Sequence, residues 1–130
     1  MHIRQNIRPK STQSVNCALI NARSIRNKLN QLETFVITKK LSLLCITETW
    51  LSNMDPENIL LALGKFDVYV CNRSTRGGGC AILCDPDKIS SKLIAKINGT
   101  GYELLVIDLY FPVNLRVFCA YMAPGCNSLF

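Results

Sequence analysis

Three polar residues stand where apolar runs give out: Asn21 after Ala18-Leu19-Ile20, Glu48 in Ile46-Thr47-Glu48-Thr49-Trp50, and Tyr121 in Ala120-Tyr121-Met122-Ala123-Pro124. Layered folds present functional groups at such strand ends, because the strand holds the residue while its end leaves the side chain within reach of a ligand. Glu48 follows the most apolar of the three runs, which puts a carboxylate at the rim of a core, a setting that perturbs ionisable groups. Each residue also has a purely structural explanation. An Asn after a strand is a common turn or cap residue, a Glu at a strand end is commonly solvated, and a Tyr near a Pro is commonly packed. Gly77-Gly78-Gly79 lacks the Lys-Ser/Thr and following helix of a phosphate-cradling loop, so it reads as a tight turn into a strand.

Metal-thiolate chemistry has little to build on. The seven cysteines include no C-x-x-C pair, and the one histidine is His2, in the N-terminal tail. Most of the cysteines sit in apolar runs such as Leu44-Cys45-Ile46 and Phe118-Cys119-Ala120, where a reduced thiol behaves as a small hydrophobe. That usage fits a reducing, intracellular compartment, nucleus or cytoplasm. The sequons at Asn72 and Asn98 carry no weight without an export signal.

The elements that must position these residues follow from periodicity. Val15 to Ile20 reads as a strand. Ser24 is placed to cap a helix in which Ile25, Leu29, Leu32 and Val36 recur at helical spacing, with Lys39 and Lys40 favourable at its end. Leu41 to Thr47 is a second, central strand, and the strand-helix-strand order predicts a crossover between parallel neighbours. Asp55-Pro56 starts a short second helix reaching Leu63-Gly64. Strands follow at Phe66 to Cys71 and Cys80 to Cys84. A hairpin is predicted from Leu93–Ile97 and Leu104–Phe111 around Asn98-Gly99, and a last strand at Leu115 to Tyr121. The fold class is α/β in a layered α+β plan. Sheet so apolar needs cover on its second face, more than two helices supply, so a second sheet is expected to be missing.

The 130 residues amount to one domain, 48% hydrophobic and 18% charged, far from a disordered composition. Mean hydropathy is high at +0.17, but no apolar run approaches the length of a membrane span. Residues 1–14 read as a basic flexible tail carrying Arg4, Arg8 and Lys10, without the apolar stretch of a secretory signal, ahead of a domain over residues 15–130. The net charge of +6 is compatible with a polyanionic partner such as nucleic acid and also with an ordinary basic surface.

Taken together, the segments Leu19-Ile20-Asn21-Ala22-Arg23-Ser24-Ile25-Arg26-Asn27-Lys28, Leu44-Cys45-Ile46-Thr47-Glu48-Thr49-Trp50-Leu51, Arg76-Gly77-Gly78-Gly79-Cys80-Ala81-Ile82 and Cys119-Ala120-Tyr121-Met122-Ala123-Pro124-Gly125 resemble the endonuclease/exonuclease/phosphatase superfamily. They are most similar to the endonuclease domain at the front of non-LTR (LINE-type) retrotransposon reverse-transcriptase polyproteins, and the likeness runs from about Val15 to Asn127. The resemblance implies two packed β-sheets flanked by helices, of which this chain is an incomplete, N-terminal part. It implies Mg²⁺ held by Glu48 with Asn21, and catalytic contributions from Asn21 and Tyr121, the latter donating a hydrogen bond to a phosphate oxygen. DNA or another nucleic acid would be the partner.

Two departures temper the activity so implied. Tyr-Arg-Pro-Pro, common in the family, is here Tyr121-Met122-Ala123-Pro124, which removes a cation beside the tyrosine. The family's later Asp-x-Asn and Ser-Asp-His groups have no counterpart: no histidine follows His2 and no acidic residue follows Asp108. The expectation is a truncated nuclease domain that does not cleave by itself. Its alternatives are a non-catalytic nucleic-acid-binding module and a decayed reading frame without selected function. Its exposed sheet face is expected to meet a missing C-terminal half, or to aggregate or oligomerise.

Overall fold

The computed structural model describes residues 14–52, 64 and 66–126. Among them run seven strands and one helix: β1 (Cys17–Asn21), α1 (Leu29–Lys39), β2 (Leu43–Thr47), β3 (Asp67–Cys71), β4 (Cys80–Cys84), β5 (Ser90–Gly99), β6 (Tyr102–Phe111) and β7 (Leu115–Met122). The expected second helix at Pro56–Gly64 falls almost wholly on residues 53–63, and the expected tail on residues 1–13, both outside the described residues.

The strands divide into two sheets, one ordered β1-β2-β4-β3 and the other β5-β6-β7. β1 and β2 are parallel neighbours joined through α1, as the strand-helix-strand order predicts, while every other pairing is antiparallel. All five residues of β2 are buried, as are all five of β4, because both are central and covered on both faces. On one face, α1 lays Leu32 and Val36 onto Ile25, Leu44, Ile46 and Leu83. On the other, Leu43, Cys45, Ile82 and Cys84 meet Leu105, Ile107, Leu109 and Cys119 of the second sheet. The chain is thus a helix–sheet–sheet sandwich of α+β class. The sheet expected to be missing corrects accordingly: β5-β6-β7 of this same chain covers the second face of the first sheet. The uncovered surface lies instead on the outer side of β5-β6-β7, where Ile97, Phe118 and Met122 are exposed.

Two local expectations also change. Ser24 does not cap the helix, which begins after Lys28. The amides of Ser24 and Ile25 instead donate to the carbonyls of Glu48 (2.9 Å) and Thr49 (3.2 Å), so this stretch is committed to the segment that follows β2. The second hairpin turns at Thr100-Gly101, with Gly99 opposite Tyr102, and not at Asn98-Gly99. Gly101 has the left-handed φ (+80°) that the turn needs, while the Asn98 amide donates to the Asn72 carbonyl (3.0 Å) and stays within the strand.

Candidate functional site

β1 and β2 both end at one rim of the sandwich. Asn21 is the last residue of β1, in register with Thr47, so it lies exposed on the strand next to the one that delivers Glu48. Beyond Thr47 the chain turns sharply: Glu48 (φ +53°) and Trp50 (φ +55°) are left-handed, and so are Arg23 (φ +47°) and Ser24 (φ +80°) after β1. Non-glycine residues rarely take this conformation, at a cost of about 1–3 kcal/mol each, and such strain gathers where side chains must be aimed. The turn is held on both sides by backbone bonds, from Ser24 and Ile25 as above and through Thr49 N–H to Gly79 O (3.3 Å) and Trp50 N–H to Gly78 O (2.9 Å). Thr49 is fully buried beneath it.

The glycines serve this packing. At Gly79 (φ +89°) a Cβ would run into the Thr49 hydroxyl, and at Gly78 (φ +62°) into the guanidinium of Arg73. The expected tight turn into β4 is present, and its glycines also leave room for the side chains that shape the rim.

Tyr121 arrives from the other sheet. It sits on the inward face of β7, opposite Glu103 of β6, and its hydroxyl donates to Glu48 Oε1 at 2.6 Å. Two of the three candidates are therefore joined directly across the sandwich, 73 residues apart in sequence. Asn21 stands at the same rim, at the end of the neighbouring strand. Because its proton is held by the Glu48 carboxylate and it is partly shielded from water, the Tyr121 phenol is pushed above its ordinary range.

Two further residues complete the arrangement, neither of them among the sequence candidates. Glu103 is wholly buried and binds Arg73 through Nε–Oε1 (2.6 Å) and Nη2–Oε2 (3.3 Å). The guanidinium of Arg73 lies 5.6 Å from the centroid of the Tyr121 ring, and its pairing with Glu103 raises it further above its already high range. A cation does stand beside the tyrosine after all, supplied by the loop after β3. Position 122 could not supply it here, since successive strand residues face opposite ways and Met122 is exposed on the outer face. A sequence signal for the pair existed: Glu103 is a lone carboxylate inside the apolar run Tyr102–Ile107, and a buried carboxylate demands a cationic partner.

The donors at the rim can be weighed against a metal. Among the described residues no group of three His, Cys, Asp or Glu side chains is arranged to hold a metal ion, and the second carboxylate nearby, Glu103, is committed to Arg73. What remains is one carboxylate, Glu48, with the Asn21 amide on the adjacent strand. That suits Mg²⁺, which takes one or two carboxylates and keeps water and phosphate as its other ligands, and does not suit zinc.

No protein-family model and no curated protein sequence matches the chain. Among solved structures, an AP endonuclease from Archaeoglobus fulgidus superposes with a TM-score of 0.58 at 18% identity, covering 79% of this chain. The match takes in 40% of that endonuclease chain, so this chain spans well under half its length. The likeness is one of fold. No helix among the described residues is long and apolar enough to cross a membrane.

Proposed function

We propose that the rim formed by Asn21, Glu48, Tyr121 and Arg73 is the metal- and phosphate-facing part of a Mg²⁺-dependent phosphodiesterase site for nucleic acid, in a domain derived from a retrotransposon endonuclease. The observation that carries this is the 2.6 Å bond from Tyr121 to Glu48, which unites two strand-end residues from opposite sheets with a cation at the ring face. Glu48 would hold the ion with Asn21 beside it, and a bound Mg²⁺ would supply Lewis-acid polarisation of a phosphoryl oxygen. Tyr121, kept protonated by its environment, would turn its one hydroxyl hydrogen from Glu48 to a phosphate oxygen once the carboxylate holds the ion. Arg73, anchored by Glu103, fixes the ring and adds positive potential at the rim.

Among the described residues no histidine stands at the rim, and the second carboxylate there, Glu103, is committed to Arg73 (2.6 Å), so neither kind of group is free to activate water. The expected behaviour is therefore binding without turnover. Purified chain should bind a DNA oligonucleotide with an affinity that falls steeply with salt, and Mg²⁺ added to that complex should shift the NMR signals of the rim. Glu48→Ala should abolish the Mg²⁺-dependent shift while leaving salt-dependent binding in place. A rim unmoved by Mg²⁺ in the wild-type complex would sink the metal assignment. Mg²⁺-dependent nicking of plasmid DNA that Glu48→Ala removes would overturn the absence of turnover.

The net charge of +6 favours a second reading, a module that grips nucleic acid with no metal at all. Under it, Mg²⁺ would act on binding only as added salt does, in wild type and Glu48→Ala alike.

A further inference from the structure

We infer that Lys28 is a positioning residue for the Asn21–Glu48 pair: from the start of α1, its ammonium holds the two peptide carbonyls that follow Asn21 and so fixes the turn bonded to Glu48. The effect expected on Mg²⁺ rests on reading the rim as an ion site. The effect on the turn itself does not.

Between β1 and α1 the backbone amides are committed to the chain after β2. Ala22 N–H donates to the Thr47 carbonyl (2.9 Å), Ser24 N–H to Glu48 (2.9 Å) and Ile25 N–H to Thr49 (3.2 Å). Asn21 and Glu48 are therefore aimed by one shared piece of backbone. That piece contains Arg23 (φ +47°) and Ser24 (φ +80°), both left-handed. Residues other than glycine stay in that region only where their surroundings hold them there. Ala22 and Ile25 are anchored by burial in the core beneath α1. Apolar burial is non-directional, however, and does not orient the peptides between them.

The Lys28 side chain supplies the direction. Its Nζ donates to the Ala22 carbonyl (2.5 Å) and the Arg23 carbonyl (3.4 Å), the two peptides that flank the first left-handed residue. An ammonium carries three hydrogens and no acceptor, so it can hold both carbonyls at once. Its stem leaves from a fixed point. The Lys28 amide donates to the Ile25 carbonyl (3.0 Å), and the Lys28 carbonyl receives the Leu32 amide (2.9 Å) in the first turn of the helix. The helix is thereby tied to the rim by a directed side-chain bond as well as by packing. Arg26 acts in the same sense on the other segment, its Nη2 donating to the Trp50 carbonyl (3.3 Å) just beyond Glu48. Groups that orient metal ligands from behind in this way govern affinity without touching the ion.

The test uses isotope-labelled full chain, free and in complex with a DNA oligonucleotide. In free Lys28→Met, hydrogen exchange at the Ser24 and Ile25 amides should quicken by about tenfold or more over wild type, while Leu105 in the middle of β6 keeps its rate. Mg²⁺ titrated into the DNA complex should bind Lys28→Met with a Kd raised about tenfold, read from the shifts of the rim. Lys28→Arg, whose guanidinium also has hydrogens for two carbonyls, should restore both readouts. Exchange that quickens equally at Ser24 and Leu105 would make Lys28 a general stabiliser and overturn the inference, as would Ser24 exchange left unchanged. So would a Lys28→Met complex that binds Mg²⁺ as tightly as a responsive wild type. A wild-type rim that ignores Mg²⁺ would sink the ion site instead, and the exchange rates would then decide the role of Lys28 by themselves.

Discussion

At the scale of single residues, the rim rests on one asymmetric ion pair. Glu103 has no exposed side-chain surface, whereas the side chain of Arg73 keeps 16%. Removing Arg73 strands a carboxylate inside the sandwich, while removing Glu103 leaves a cation that can swing toward water. Arg73→Ala should therefore destabilise the chain by about 3–5 kcal/mol and Glu103→Ala by clearly less, as read from urea unfolding midpoints. Equal losses would show that Arg73 does not shield Glu103. The pair also shows why sequence candidates were incomplete. Asn21, Glu48 and Tyr121 stand at strand ends and could be found by position, whereas Arg73 lies in a loop and gains meaning only from the side chains it meets.

At the scale of elements, the turn after β2 and the glycine loop before β4 form one unit. Two glycines separate strain from collision: Gly125 (φ +81°) has open space around its Cβ position, while Gly79 (φ +89°) faces the Thr49 hydroxyl. Gly125→Ala should cost about 1 kcal/mol through backbone conformation alone. Gly79→Ala should cost about 2–4 kcal/mol and displace Thr49 as well, because steric conflict adds to strain. Trp50 is the one tryptophan and is bonded to Gly78, so its fluorescence should shift in Gly79→Ala and stay put in Gly125→Ala. Unaltered emission in both would mean that the loop does not set the turn. The same elements mark where periodicity misleads. Ile25 sits at helical spacing from Leu29 yet lies in the loop, because buried apolar spacing cannot tell a helix start from a turn packed on the same core.

At the scale of the whole molecule, the layer between the sheets is rich in thiols. Cys84 is pushed up to about 12 by burial. Cys119 also stands at about 12: the Cys45 thiol's hydrogen bond pulls it down, but contact with Cys80 and burial outweigh that. Cys45 is raised by its bond to Cys119 and by burial. Thiols raised in the folded chain stabilise it fully below their unfolded value, near 9.0, and lose that contribution as pH rises through about 12. Stability under reducing conditions should fall above pH 9, each such thiol adding up to about 1.4 kcal/mol per pH unit to the slope. Unfolding midpoints between pH 8 and 10 should show a shallower fall for Cys84→Ala than for wild type, and parallel falls would sink the account.

The sequence by itself determined the strands, the parallel β1–β2 crossover, the central places of β2 and β4, and the ends from which Asn21, Glu48 and Tyr121 project. These follow from local periodicity and from the apolar character of runs such as Leu43–Thr47. Only the tertiary structure decided that β5-β6-β7 turns over to cover the first sheet, that Tyr121 reaches Glu48, and that Arg73 bridges Glu103 and the tyrosine ring. Those side-chain contacts join residues 30 to 73 positions apart. No local pattern encodes them, because they depend on which faces are left unburied once the local elements have formed.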